Sequence, residues 1–449
     1  MPHPKDEELA SFAMEPATAP PRIAQHVADC PVCRTEVEVY REVDAGLSNA
    51  ESWSLFEDTD LPTAYQESIR SLAAQIAEED ELARTLLEHR IRKPAALAWL
   101  DVSNDPRLLS GGVVRFLSAA AHDALARETL DSLALADLAI NVGSRLPVNT
   151  YAGNRLHDLR GNAWKERANA LRLLGRYDDA LHALDQASAE YAFVPASPLG
   201  PAIVTFIRAS VYSERGLYDE AFRLAAQSAR AFQHIGDVDR TMRARHLEAN
   251  IHFHRREIRL ARELYESILL WAESRNDSTW IARESLTLGH CALEEGSRSL
   301  AEERFARAWR LFEESGSSSE STRAQFGIGR VLLASGQLDA AVRHLSNVET
   351  QFRQLGLLTD AALVALHVMD AYCAQGDFRD IAIRSANLIE TFAEAGMLTS
   401  ALEAFAYLRE SAGAGRTTSR LIEHVRQFVS RVEREPELLF APPPDETAF

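Results

Sequence analysis

From about residue 161 onward, small and apolar residues recur on a ladder with a step of about 40 residues. Its clearest rungs are glycines at 175, 216, 296, 336 and 376, and Arg256 stands where one more glycine would fit. Two residues beyond each rung come Tyr177, Tyr218, Ile258, Arg298, Leu338 and Phe378. Three further on come Ala180, Ala221, Ala261, Ala301, Ala341 and Ile381. Seven residues before each rung the side chain is small, at Ala168, Ala209, Ala249, Gly289 and Gly329, with Met369 the exception. This register predicts helix, turn and helix in every unit. A glycine ends the first helix in a left-handed turn, and small residues on both helices let them pack as a hairpin. Ala, Leu, Arg and Glu dominate between breaks such as FVPASPLGP and SGSSSES, and alternating strand-like runs are scarce, so the expected fold class is all-α.

The flanks of the ladder follow from what an array of hairpins needs. Its apolar ends must be covered, which assigns 110–160 to a divergent first hairpin and connection, 161–400 to the repeats and 401–435 to C-terminal capping helices. Residues 436–449, ending in APPPDETAF, are expected to be a disordered tail. Ahead of the array, 51–109 reads as a helical linker region and 1–50 as a small separate module. In that module Leu9, Phe12 and Ala13 share one helical face, Ile23 and Val27 another, and Val37 and Tyr40 a third. So short a segment buries too little apolar surface to fold unaided.

The order Trp164, Ala168, Gly175, Tyr177, Ala180, Leu184 and Ala187 resembles the tetratricopeptide repeat (TPR), and the other five units match it less completely. The resemblance implies a right-handed α-solenoid whose concave surface binds a protein or peptide. The step departs from the family's usual 34 residues. Six more residues add about 9 Å of helix, or a longer loop, to each unit.

Chemistry concentrates near the start, where His26, Cys30 and Cys33 form H-x3-C-x2-C. Two thiolates two residues apart, with an imidazole one helical turn upstream, suit a single tetrahedral Zn2+. A closed structural site needs a fourth ligand. His3 is the candidate, being the one other His or Cys before His89, with a nearby carboxylate or water as substitute. Zinc would supply stabilisation on the order of 10 kcal/mol. Cys30-Pro31-Val32-Cys33 also allows a redox reading, in which oxidation to a disulfide expels the metal.

The run HPKDEELASFAM followed by IAQHVADCPVCRTEV looks like the zinc-finger domain of zinc-binding anti-sigma factors, over roughly residues 3–45. That resemblance implies that His26, Cys30, Cys33 and His3 bind zinc. It also implies that the module and a helix after it, within Leu61 to Arg92 and opened by Asp60 and Pro62, embrace a sigma factor. Segments VSNDPRLL and DLRGNAWKERANALRLLGRYDDA resemble those of bacterial proteins that join this zinc module to TPR arrays.

Charge narrows the partners. The chain has 48 Lys plus Arg and 66 Asp plus Glu, a net charge of -18, and residues 1–90 hold 19 acidic and 7 basic side chains, or -12. Such an excess argues against direct nucleic-acid binding and favours a basic protein partner, or simply solubility. The third unit runs against the trend with Arg240, Arg243, Arg245, Arg255, Arg256, Arg259 and Arg262. This cluster reads as a solvated helical face, or as a patch holding an acidic partner segment or the chain's own acidic N-terminal region.

Cys30, Cys33, Cys291 and Cys373 are too sparse for a disulfide framework. No membrane-length apolar run and no signal peptide are present, which together give the expectation of a cytoplasmic protein without membrane contact. There is no G-x-x-x-x-G-K-[ST], H-E-x-x-H or G-x-S-x-G, so no enzyme is expected. Gly327-Ile328-Gly329 lies inside a helix and reads as packing. His252 and His254 point apart, and Cys291 and Cys373 read as buried packing. The expected function is a non-enzymatic, anti-sigma-like transcriptional regulator with a TPR partner-binding array. The alternative is a TPR adaptor whose zinc module is only structural.

Overall fold

The computed structural model describes residues 3–4, 9, 12–13, 20–35, 37–38, 63–88, 105–125, 128–147, 151, 153–194, 197–394, 397–432, 435 and 438–443, with the backbone alone over 63–69. Contacts divide the chain into two bodies, Met1–Glu78 and Glu79–Phe449. The described residues contain helices and turns and no strand.

In the first body, α1 (Pro21–Asp29) carries Pro21 in its first turn, where a missing N–H leaves nothing unsatisfied. A further helical turn covers 31–35. Leu9, Ala13, Ile23, Val27, Cys33 and Val37 bury one another, with Phe12 and Cys30 packed against them. The three apolar faces therefore meet, although Tyr40 lies outside the described residues. The helix expected within 61–92 is α2 (Thr63–Leu87). Asp60 and Pro62, expected to open it, also lie outside the described residues.

The second body is an array of helical hairpins: α3 (Gly111–Ala124) with α4 (Thr129–Arg145), α5 (Gly153–Leu173) with α6 (Tyr177–Tyr191), and α7 (Leu199–Glu214) with α8 (Tyr218–Ile235). It continues with α9 (Val238–His254) and α10 (Ile258–Ser274), α11 (Ser278–Glu294) and α12 (Arg298–Glu314), and α13 (Ser318–Ala334) and α14 (Leu338–Gln354). The last pairs are α15 (Leu358–Gln375) with α16 (Phe378–Glu394) and α17 (Thr399–Gly413) with α18 (Ser419–Val432).

From α8 to α16 a helix starts every 20 residues, at 218, 238, 258, 278, 298, 318, 338, 358 and 378. The 40-residue step is thus two equal half-steps. Turns within and between hairpins share one geometry, and the residues beyond the usual TPR length go into helix rather than loop. Left-handed residues recur at Gly216, Gly236, Arg256, Asn276, Gly296, Gly316, Gly336, Gly356 and Gly376, with φ between 53 and 80. The next N–H reaches back five residues to satisfy a helix-end carbonyl, as from Asp237 to Phe232 and from Leu357 to Phe352, both at 2.9 Å.

Arg256, the missing rung, adopts φ 64 despite its side chain. A left-handed conformation costs a non-glycine residue about 1–2 kcal/mol, while its ion pair with Glu294 is made by a 76 % exposed guanidinium and adds little. Arg256→Gly is therefore expected to raise stability by up to about 1 kcal/mol, and Gly296→Ala to lower it by about 1 kcal/mol. Urea unfolding midpoints of the two variants should move in opposite directions.

Small residues on the first helices leave room for large ones on the second. A Cβ on Gly289 would come 2.7 Å from the Phe305 ring, and Gly327 faces the same ring from the next hairpin. Gly327 and Gly329 thus serve packing inside α13. At the C-terminal end Leu421, Ile422, Val425 and Val429 of α18 complete the core of α15 and α17. The tail departs from its expected disorder: Phe440 packs on Tyr407, His424 and Phe428, and His424 Nε2 lies 2.8 Å from the Ala441 carbonyl. An aromatic side chain ahead of the prolines gives this segment an anchor that its composition concealed. Residues 444–449 lie outside the described set.

Candidate metal centre and concave groove

Cys30 is the bend between α1 and the helical turn at 31–35. Its N–H donates to the His26 carbonyl at 2.8 Å, and its carbonyl accepts from the Arg34 N–H at 3.1 Å. The bend converts the H-x3-C-x2-C spacing into spatial convergence. His3 Nδ1 lies 3.1 Å from Cys33 Sγ and 3.7 Å from Cys30 Sγ, and its ring meets that of His26 edge to face at 5.4 Å. One ligand atom from each of His3, His26, Cys30 and Cys33 lies within 4.8 Å of all the others. Neither Cys30 nor Cys33 is part of a disulfide.

The donor set fits a metal. His26 Nε2 is buried without a hydrogen-bond partner, a condition that costs about 1–3 kcal/mol unless something coordinates the nitrogen. The Cys30 thiol is held below its ordinary pKa by the Cys33 N–H, then by the Cys33 thiol, the Val32 N–H and Arg34, which outweigh desolvation. This favours the thiolate, the metal-binding form. Two sulfur and two nitrogen donors match tetrahedral zinc.

In the second body a groove of about 650 Å³ opens between the first helices of successive hairpins. Arg172 comes from α5, Phe206 and Ser210 from α7, Arg243, His246 and Asn250 from α9, and Trp280 and Arg283 from α11, while Ser430 and Arg431 of α18 face them. An adjoining hollow of about 560 Å³ shares Arg172, Phe206, Ser210 and Arg243 and adds Lys165, Glu166, Asp237 and Asp239. His246 is fixed from behind: its Nδ1 lies 2.8 Å from Oε1 of Glu284, whose side chain is 0 % exposed. Sequence reasoning missed this groove, although Arg243, His246, Asn250 and His254 form one stripe along α9.

The basic cluster of the third unit is largely neutralised. Arg240 pairs with Asp237, Arg255 with Asp219, Arg256 with Glu294, Arg259 with Glu263 and Arg262 with Glu295. Arg255, Arg256 and Arg262 thereby tie neighbouring helices together, while the Arg240 and Arg259 pairs are local contacts within one helical turn. Arg243 instead lines the groove.

Further along, a polar stripe follows the first helices. Arg330 Nη1 lies 3.1 Å from His290 Nδ1, Arg330 also pairs with Glu294, and Arg426 of α18 pairs with Asp370 beside His367. Burial, then Arg330, pushes the His290 pKa down to about 3. Burial, then Arg426 and Arg330, lowers that of His367. An unfolded histidine takes up its proton near pH 6.5 whereas folded His290 refuses it, so stability present above pH 6.5 is lost as pH falls toward 3. Asp370, raised to about 6 by burial against the pull of Arg426, works in the opposite sense. The test is therefore a difference between proteins. Between pH 7 and 5 the native chain should lose up to about 2 kcal/mol that His290→Gln, which keeps an acceptor for Arg330, does not lose. Parallel pH profiles of the unfolding midpoint would sink this account.

No protein-family model and no curated protein matches the chain. Solved structures resemble it at low identity. Aspartyl phosphate phosphatase F from Bacillus subtilis is 16% identical, covering 98% of this chain and 97% of its own, with a TM-score of 0.46. The apo form of the quorum sensor NprR from B. thuringiensis is 11% identical over 79% of this chain and 99% of its own, at 0.47. NprR in complex with its cognate peptide NprX is 13% identical over 78% and 100%, at 0.46. No helix among the described residues is long and apolar enough to cross a membrane.

Proposed function

We propose that the chain is a non-enzymatic regulator acting through protein contacts, with an N-terminal zinc module that engages a sigma factor and a hairpin array that receives a second protein or peptide. The observation that carries this reading is the meeting of His3, His26, Cys30 and Cys33, with the His26 ring nitrogen buried and unpartnered. Zinc held there would tie the segment before α1 to both sides of the Cys30 bend, supplying the stabilisation that a core of Leu9, Ala13, Ile23, Val27 and Val37 lacks. The anti-sigma assignment rests on the resemblance of HPKDEELASFAM and IAQHVADCPVCRTEV to that family, and on an acidic N-terminal region suited to a basic partner. Cytoplasmic action follows from that partner.

The test is bound zinc and sigma-factor capture from host lysate by the full chain and by His26→Ala/Cys30→Ala/Cys33→Ala. Stoichiometric zinc with capture that vanishes in the variant is expected. Zinc without capture would leave the second reading, a TPR adaptor with a structural zinc module, which the groove beside α9 favours. Absence of zinc would remove the metal reading.

A further inference from the structure

We propose that the groove between α5, α7, α9 and α11 takes an acidic peptide segment, whose carboxylates meet Arg243 and Arg283 and whose aromatic or aliphatic side chain rests against Trp280 and Phe206. The proposal builds on the reading of the array as a partner-binding surface and names the chemistry of that partner. It starts from a charge inversion. On a chain of net charge -18, the groove collects Arg172, Arg243, Arg283 and Arg431 against one lining carboxylate, Glu214.

Two of the four arginines are already engaged, Arg172 with Glu214 and Arg431 with Glu435. Arg243 and Arg283 are exposed and stand in no salt bridge among the described residues, Arg243 acting on the Asp237 carboxylate only through space. Arg283 lies over the Trp280 ring at 4.9 Å from its centroid. A guanidinium stacked on an indole is oriented and partly desolvated, and its N–H edge stays available for a carboxylate in two-point contact. His246 is held in place by the buried Glu284, so the groove floor is set before any ligand arrives.

Apolar contact alternates with this charge. Phe206, Leu247 and Trp280 line the same space. The two joined hollows, about 650 and 560 Å³ with shared walls, give room for several residues of extended chain. A nucleic acid fits less well, because Glu166, Asp237 and Asp239 interrupt the basic lining of the second hollow and leave no continuous track for a phosphate backbone. The charge pattern selects a segment with a few carboxylates at one end.

The experiment uses the full-length protein as bait for a display library of random peptides roughly ten residues long. Selected peptides are labelled with fluorescein and their binding is read by anisotropy at about 50 mM and about 300 mM salt. The proteins compared are the native chain, Arg243→Gln/Arg283→Gln, and Arg259→Gln, a control at an exposed position on α10 outside the groove. Both groove substitutions are at exposed sites, so the fold is retained, and unfolding midpoints check this. Selected peptides should be rich in Asp and Glu with an aromatic or aliphatic residue. They should weaken about tenfold or more in the double variant, weaken with salt, and bind Arg259→Gln as they bind the native chain.

Selection of no peptide, of peptides without acidic bias, or of acidic peptides indifferent to the double variant overturns the proposal. Tighter Arg243- and Arg283-dependent binding of a single-stranded oligonucleotide than of the peptides would also overturn it. Sigma-factor capture by the same proteins is scored in parallel. Capture without acidic-peptide binding removes the groove proposal alone, and acidic-peptide binding without capture removes the anti-sigma reading alone.

Discussion

Glu79→Ala should cost about 3–5 kcal/mol, the penalty typical of removing one partner from a buried charged network. The Glu79 side chain is 12 % exposed. It accepts from the Gly112 N–H at 3.1 Å, Arg115 Nη2 at 3.1 Å, Arg155 Nη2 at 3.2 Å and the Tyr151 hydroxyl at 3.0 Å. These contacts complete the N-terminus of α3. The Gly111 N–H donates to Tyr151 Oη at 2.7 Å and the Val113 N–H to Ser110 Oγ at 3.3 Å, so the first-turn donors that a helix leaves unpaired all find acceptors. Without Glu79, Arg155 and the Gly112 N–H lose this acceptor together, and Arg115 is left with Asp80 alone, at 2.8 Å.

Gly112→Ala attacks the same junction sterically. A Cβ there would fall inside van der Waals contact with the Glu79 carbonyl and lie 2.9 Å from Asp80 N. Those are backbone atoms with no rotamer to yield, so a cost of about 3 kcal/mol is expected. Glu81→Ala is the control, because Glu81 pairs with Arg84 at 62 % exposure and should change stability by less than about 0.5 kcal/mol. Hydrogen exchange across 79–88 and 105–125 reads all three variants. Protection of those stretches unchanged in Glu79→Ala and Gly112→Ala would refute the account.

The ladder was legible because packing imposes it locally. Each turn needs a residue that tolerates positive φ, each helix crossing needs a small side chain, and both requirements recur at fixed spacing. Half of the turns escaped notice. The 40-residue register starting at Gly175 passes over Gly236, Asn276, Gly316 and Gly356, which have the same geometry between hairpins. One of these is Asn, and Gly316 sits inside the break SGSSSES, so the half-step is blurred in sequence. The convergence of His3 with Cys30 and Cys33 was approachable by elimination among a few His and Cys residues. The groove was not. It depends on curvature accumulated over many hairpins, which brings Arg431 of α18 opposite Arg243 of α9, and no local pattern carries that sum. Likewise, the third-unit arginines looked like one patch in the sequence, and only the neighbouring helices show that carboxylates such as Asp219 and Glu294 take up much of it.

On the zinc reading, chelation should unfold the N-terminal module and spare the hairpin array. The module's buried apolar residues are few, and Cys33 is itself one of them. Removing a structural metal from such a body withdraws stabilisation on the order of 10 kcal/mol, more than its small core supplies. Amides of 21–38 should therefore lose hydrogen-exchange protection when zinc is stripped, whereas those of 111–432 should keep it, since that body has its own core from Val113 to Val432. Cys33→Ala should act as chelation does and resist rescue by added zinc, because Cys33 supplies both a ligand and a core contact. His3→Ala should be milder. His3 is exposed, and its loss leaves three donors to which water or a nearby carboxylate can add a fourth. A graded order, with Cys33→Ala the most damaging and His3→Ala retaining weakened zinc binding, separates a metal-built module from one whose apolar contacts suffice. Full protection of 21–38 in metal-free protein would sink the structural role of zinc.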